Sequence, residues 1–283
     1  REGEELYGSD LRIDGDSIQG RLDFASAPIG RLGIEAVKGN LSGSVDINGY
    51  LPNPDLAVAL SLNEGRLNLD PLGLDLAVDY SGNIVQISSL SASFLNHRLV
   101  GGTGSYDIQT GEVLFGSSYR GEYFEQIVNL QVDLQGKLGG LPWPLTLEGV
   151  LDNSFEGLFA AREITVDGEE REGWTVALSA DGGLLGFDGG PGESIRGTVA
   201  RDGSFTMDLE TPLPIQGQAS GRIRGGQLDS EFSVTTLDMS IINTITPRTD
   251  VFNFTAGSAR GALRVFGPVN DPDWVGFLDV IDA

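Results

Sequence analysis

An all-β fold of antiparallel strands is what the sequence predicts, on three observations. Apolar residues recur at every second position in one segment after another, turn-forming residues separate those segments, and 41 glycines and 12 prolines accompany only 21% charged residues. Period-2 alternation is the signature of a strand that buries one face. Frequent Gly and Pro punctuation suits short strands joined by tight turns, and a chain with 40% apolar residues has the means to fold.

The alternation is clearest at Leu41, Gly43, Val45, Ile47, Gly49 and Leu51, with Ser42, Ser44, Asp46, Asn48 and Tyr50 facing the other way. It returns in Leu56, Val58, Leu60 and Leu62, in Leu72, Leu74, Leu76 and Val78, in Val128, Leu130, Val132 and Leu134, and in Trp174, Val176 and Leu178. Between these strands, Asn63-Glu64-Gly65, Ser81-Gly82-Asn83, Gln109-Thr110-Gly111 and Asp202-Gly203 supply residues tolerant of positive φ, and each predicts a chain reversal. Consecutive reversals predict an antiparallel meander. Three- and four-residue apolar spacing predicts a short helix from Leu237 to Ile245, stopped by Pro247, and a second single turn over Phe124 to Val128.

The chain repeats itself. Residues 39–56 align without a gap on residues 257–274, so that Gly39, Gly43, Val45, Ile47, Gly49, Pro54 and Leu56 fall on Gly257, Gly261, Leu263, Val265, Gly267, Pro272 and Trp274. A looser echo runs from Leu130 through Gly136, Leu138 and Pro144 to Leu147, and a partial one through Gly217, Ala219, Gly221, Ile223 and Gly225. Small residues at alternate positions of an apolar face leave room for bulky neighbours or for an apolar guest. Period 2 alone does not say whether that face packs on protein or on lipid. With no Ser/Pro-rich linker in view, the expectation is one extended β segment over residues 1–283, with repeat units near 39–62 and 257–280. An opening at Arg1 without Met is expected of a piece of a longer protein.

Charge and residue inventory narrow the chemistry. Acidic residues outnumber basic ones 41 to 18, for a formal charge of -23, which repels phosphate backbones and makes nucleic acid a poor partner. Without cysteine there is no disulfide framework, zinc-thiolate site or thiol nucleophile. His97 is the single histidine, and one imidazole in the turn-like Phe94-Leu95-Asn96-His97-Arg98 reads as a surface residue. The acidic run from Asp167 to Glu172 reads as a solvated hairpin tip. Gly182 to Asp188 has one residue too many for a calcium-binding nonapeptide and occurs once, Asp10, Asp14 and Asp16 lack the full spacing of a calcium loop, and Gly101-Gly102-Thr103-Gly104 lacks the Lys-Ser/Thr ending of a phosphate loop. The triplets at Asn40 and Asn253 fall in or beside predicted strands and are not read as glycosylation sites. No catalytic residue, metal site or cofactor is predicted.

The unit Gly261-Ala262-Leu263-Arg264-Val265-Phe266-Gly267-Pro268-Val269-Asn270-Asp271-Pro272-Asp273-Trp274, continuing through Gly276, Leu278 and Val280, resembles the repeated strand-Gly-x-x-x-x-Pro-strand unit of the TamB/AsmA-like family, and residues 39–62 are similar. The resemblance implies a long, curved antiparallel sheet folded lengthwise into an apolar groove (β-taco-like), with one or two short helices. It implies a periplasmic segment, anchored to the inner membrane through a part outside this chain, which moves phospholipid between inner and outer membrane and/or assists outer-membrane protein assembly with a barrel partner. The implied ligand is phospholipid acyl chains. The inward alternates expected to line such a groove are Leu41, Val45, Ile47, Leu56, Val58, Leu60, Leu130 and Val132 in the first part. Leu263, Val265, Trp274, Leu278 and Val280 complete the set. A secreted β-sandwich or adhesin-type module is the alternative that the alternation leaves open.

Overall fold

A computed structural model describes residues 7–29, 37–67, 70–123, 126–139, 154–241, 256–269 and 272–282. The protein is all-β. Nineteen strands account for nearly all of the described residues, and every register among them is antiparallel. No helix among the described residues is long and apolar enough to cross a membrane. The chain divides into two compact units, Arg1–Lys137 with Ala161–Arg171, and Leu138–Ala160 with Glu172–Ala283.

The first unit is a meander of β1 (Tyr7–Asp14), β2 (Ser17–Pro28), β3 (Val37–Tyr50), β4 (Asp55–Leu67), β5 (Asp70–Ser81), β6 (Ile84–Phe94), β7 (His97–Asp107), β8 (Glu112–Tyr123) and β9 (Gln126–Leu138), each paired with the next. The second half of β10 (Phe155–Val166) follows β9, held by Ile127 N–H donating to the Asp167 carboxylate at 2.8 Å and Asp167 N–H donating to the Ile127 carbonyl at 2.9 Å, and it turns back into β11 (Glu169–Arg171). The second unit runs through β12 (Trp174–Asp181), β13 (Leu184–Gly189), β14 (Ile195–Ala200), β15 (Ser204–Leu209), β16 (Ile215–Arg224), β17 (Gln227–Asp238), β18 (Ser258–Pro268) and β19 (Asp273–Asp282), again each paired with the next. Phe159, in the first half of β10, packs against Trp174 with ring centroids 5.8 Å apart.

Local chemistry explains the reversals. Gly82 and Asn83 take φ of +56° and +76°, the left-handed pair whose twist matches a two-residue hairpin. The Asp107 carboxylate accepts the backbone N–H groups of Gln109 (2.8 Å) and Thr110 (3.0 Å), and Asp202 does the same for Ser204 (3.0 Å). The predicted turns at 81–83, 109–111 and 202–203 therefore stand.

Three local expectations are corrected. Asn63-Glu64-Gly65 lies inside β4, where the register shifts between Leu62 and Arg66 and Glu64 takes φ of +52°; the same residue types that make a turn make a β-bulge when both flanks remain paired. Leu237 and Asp238 belong to β17, followed by a single 3-10 turn at Met239–Ile241, because Leu237 pairs with Ala259 across the ladder; residues 242–245 of the expected helix lie outside the described residues. At the second expected turn, residues 126–128 open β9, and 124–125 lie outside the described residues.

The sequence repeat is a structural repeat, longer than its motif. β3–β4 corresponds to β18–β19, and a methyl group built on Gly43 or on Gly261 would strike the carbonyl oxygen of the equivalent neighbour, Ala59 or Phe277, and come within 3.0 Å of the Cα of Leu60 or Leu278. The preceding strands match as well. β2 bulges between Phe24 and Ala27 opposite Gly43 and Leu41, and β17 bulges between Val234 and Leu237 opposite Gly261 and Ala259.

Candidate functional site: a one-sided apolar sheet face

Residues opposite each other in an antiparallel ladder project from the same face, so the registers can be followed from strand to strand. In the first unit one row runs Leu11, Gly20, Ile47, Leu56, Tyr80, Val85, Tyr106, Val113, Gly136. The next runs Leu22, Val45, Val58, Val78, Ile87, Gly104, Phe115, Leu134. A third links Ala27, Leu41, Leu62, Leu74, Ala92, Leu99, Tyr119 and Leu130. The opposite face carries Arg21, Asp46, Ala57, Asp79, Gln86 and Ser105 in the matching positions.

The second unit repeats the arrangement. One row passes through Val176, Gly189, Ile195, Leu209, Gly217, Val234, Gly261 and Leu278, and the adjacent one through Leu178, Phe187, Gly197, Met207, Ala219, Phe232, Leu263 and Gly276. Small and bulky residues alternate along each row for a steric reason: a methyl group on Gly197 would collide with the Phe187 ring, and one on Gly276 would lie 2.8 Å from Leu263 Cδ2. Glycine gives its place to the side chain from the next strand.

By ladder register, the thirteen residues expected to line a groove project from the apolar face of their own unit, eight in the first unit and five in the second. Leu41 shares a row with Leu130, six strands of register away, and Val265 stands opposite Trp274. Several prominent members were not expected: Phe24, Tyr106 and Phe115 in the first unit, and Phe187, Phe205, Met207 and Phe232 in the second. Glycine-rich segments and bulges broke the alternation around them, as where Ile87 and Leu90 share a face across the β6 irregularity.

Burial on this face is partial. In the first unit Ile29, Leu41 and Leu62 form a closed cluster with Val37, Leu72 and Leu74 against it, and in the second Val234, Leu237, Met239 and Ala259 do the same with Ile215, Phe232, Leu263 and Leu278. Each cluster sits where the chain leaves the bulged strand, at Ile29 after β2 and Met239 after β17. Beyond the clusters Val45, Ile47, Leu56, Val58, Leu60, Phe187, Met207 and Val265 are half-buried, and Trp274 is 64% exposed. β19 departs from the one-sided rule, because Val275 and Phe277 on its other face are also exposed.

The polar faces carry ion pairs, three across neighbouring strands, Arg21 with Asp46 (3.2 Å), Arg196 with Asp188 (3.1 Å) and Arg264 with Asp229 (3.0 Å), and one from β16 to the turn before β15, Arg222 with Asp202. The donated hydrogen bond from Arg264 holds the Asp229 carboxyl below its ordinary range, and the Ser204 hydroxyl does so for Asp202. His97 is half-buried, not a free surface residue; its Nδ1 lies 2.8 Å from the Tyr119 hydroxyl, and the rings stack at 6.1 Å. Among the described residues no group of three or more His, Cys, Asp or Glu is placed to hold a metal ion. Compared with family models, curated proteins and solved structures, the chain matches none.

Proposed function

We propose that this chain is a non-enzymatic segment that binds lipid acyl chains on its apolar sheet face, as part of a periplasmic bridge that moves phospholipid between inner and outer membrane or assists outer-membrane protein assembly. The observation that carries the reading is the set of unbroken apolar rows, eight or nine strands long, whose large side chains the protein leaves half-covered. An acyl chain laid along such a row would complete that burial. Each methylene removed from water contributes about 0.8 kcal/mol, so a sixteen-carbon chain gains on the order of 10 kcal/mol without polar recognition. At ~4.8 Å per strand a nine-strand row is about 40 Å long, enough for an extended acyl chain. Folding of the sheet lengthwise into a groove would shield the bound chain from water and belongs to this proposal.

Native mass spectrometry of the purified protein, followed by lipid extraction, tests the reading. The expected result is phospholipid in defined stoichiometry, lost in Val265→Asp while the circular dichroism spectrum keeps its β signature. A lipid-free, monodisperse and stable wild-type protein would instead favour a secreted β-sandwich or adhesin-type module.

A further inference from the structure

Basic residues are scarce in this chain, 18 against 41 acidic, and several of those on the polar faces stand beside a carboxylate, as in the four ion pairs above. Arg12, Lys137, Arg224 and Arg260 lack an ion pair among the described residues, but at two places one cation directly opposes another. Arg98 of β7 is the register partner of Arg120 of β8, and Lys38 of β3 is the register partner of Arg66 of β4. None of these four cations has a salt bridge among the described residues. Like charges directly opposed on a ladder destabilise it, and a sequence this rich in carboxylates had an ample supply of neutralising partners. Both pairs lie at the same end of the first-unit meander, at the close of β4 and β8 and the start of β3 and β7. The other end carries Asp14, Asp16, Asp55, Asp79, Asp107 and Glu112.

The arginine pair also lines an open hollow of about 440 Å³, together with Asn96, Glu122, Leu95 and Ile127. We propose that Arg98 and Arg120 form a binding site for a phosphate oxyanion, with a phosphodiester as its best match. Each guanidinium presents a planar fork of donors, and two forks arriving from neighbouring strands can be satisfied together by a tetrahedral anion with several acceptor oxygens; a carboxylate, with two oxygens, saturates one fork. Glu122 lines the same hollow and the Asp167 carboxylate accepts the Ile127 N–H beside it at 2.8 Å, but neither carboxylate is ion-paired with Arg98 or Arg120, so both guanidinium forks keep donors for a phosphodiester monoanion. Leu95 (44% exposed) and Ile127 (38% exposed) put apolar surface at the rim, where the carbon substituents of a diester would lie. This site is on the polar face and does not depend on acyl-chain binding to the apolar rows.

Isothermal titration of the full chain tests the proposal with two probes, dihexanoylphosphatidylglycerol below its micellar concentration and inorganic phosphate. Wild-type protein should bind with one-site saturation, Arg98→Gln or Arg120→Gln should weaken binding by ~10-fold or more, and Arg21→Gln, which removes a paired arginine from the same face, should leave it unchanged. Arg98→Glu should abolish binding and raise the thermal midpoint, since it replaces an opposed cation pair with an ion pair; that variant separates lost recognition from lost folding. Tighter binding of the diester identifies a lipid headgroup as the source, and tighter binding of inorganic phosphate identifies the free anion. Absence of saturable binding of either probe, or equal binding by wild type and Arg98→Gln, overturns the proposal.

Discussion

Gly43 and Gly261 occupy the same place in the two copies of the repeat, yet they are predicted to respond differently to the same substitution. In both, an added methyl group meets the carbonyl of the facing strand and sits 3.0 Å from the next Cα. Relief requires the strands to part locally. Parting them forfeits about two ladder hydrogen bonds at roughly 1 kcal/mol each, so Gly261→Ala should cost about 2 kcal/mol. Gly43 carries a second burden, because its φ of +139° is one that an L side chain rarely adopts, whereas Gly261 has no positive φ. Strain of that kind adds about 1–3 kcal/mol, which puts Gly43→Ala near ~4 kcal/mol. Gly225 is the reference: its φ is +57° with open space around it, so Gly225→Ala should cost only about 1 kcal/mol. Native-state hydrogen exchange of the full chain reads these costs as opening free energies, in β3–β4 for one variant and β18–β19 for the other. Unchanged exchange in β18–β19 on Gly261→Ala would refute the steric account of the apolar rows, and equal costs at Gly43 and Gly261 would refute the added backbone strain at Gly43.

Two further outcomes follow from the surface. The Asp229 carboxyl is held below its ordinary range chiefly by the hydrogen bond from Arg264, so its contribution to stability is fully present above the unfolded value of about 4 and is lost as pH falls through the lower folded value. The stability advantage of wild type over Asp229→Asn, measured by denaturant titration at a series of pH values, should therefore shrink below about pH 4; an advantage independent of pH would contradict this. At the β5–β6 reversal, Asn83→Ala places a side chain with little tolerance for φ of +76° in the turn and should cost about 1 kcal/mol, while Asn83→Gly should be neutral within a few tenths of that. Exchange of the amides flanking the turn checks both.

How much of this was legible in the sequence depended on whether a feature is local. Alternation at Leu41 to Leu51 or Leu72 to Val78 predicts strand and face directly, since a strand reports its own period. Bulges do not announce themselves: Asn63-Glu64-Gly65 has the composition of a hairpin turn, and only the continued pairing of Arg66 with Lys38 and Pro71 makes it an irregularity within β4. The match of β2 to β17 was invisible because the shared element is a register shift, not a residue pattern. Leu237 to Ile245 read as helix because apolar spacing there suits a helix, while the ladder to β18 claims its first two residues. Arg98 and Arg120 are far apart in sequence and unremarkable in their neighbourhoods, so their opposition exists only once the register is known.

Within the meanders each strand finds its partner in the strand just before or just after it along the chain. Most pairings therefore close a short loop, the stretch from Asp238 to Ser258 between β17 and β18 being the longest within the meanders. A polypeptide of this kind can fold vectorially as it is delivered, hairpin upon hairpin, with one growing edge exposed at a time. Its length is then free to change in evolution by the gain or loss of whole hairpins, because inserting an even complement of strands disturbs only the two neighbours at the seam.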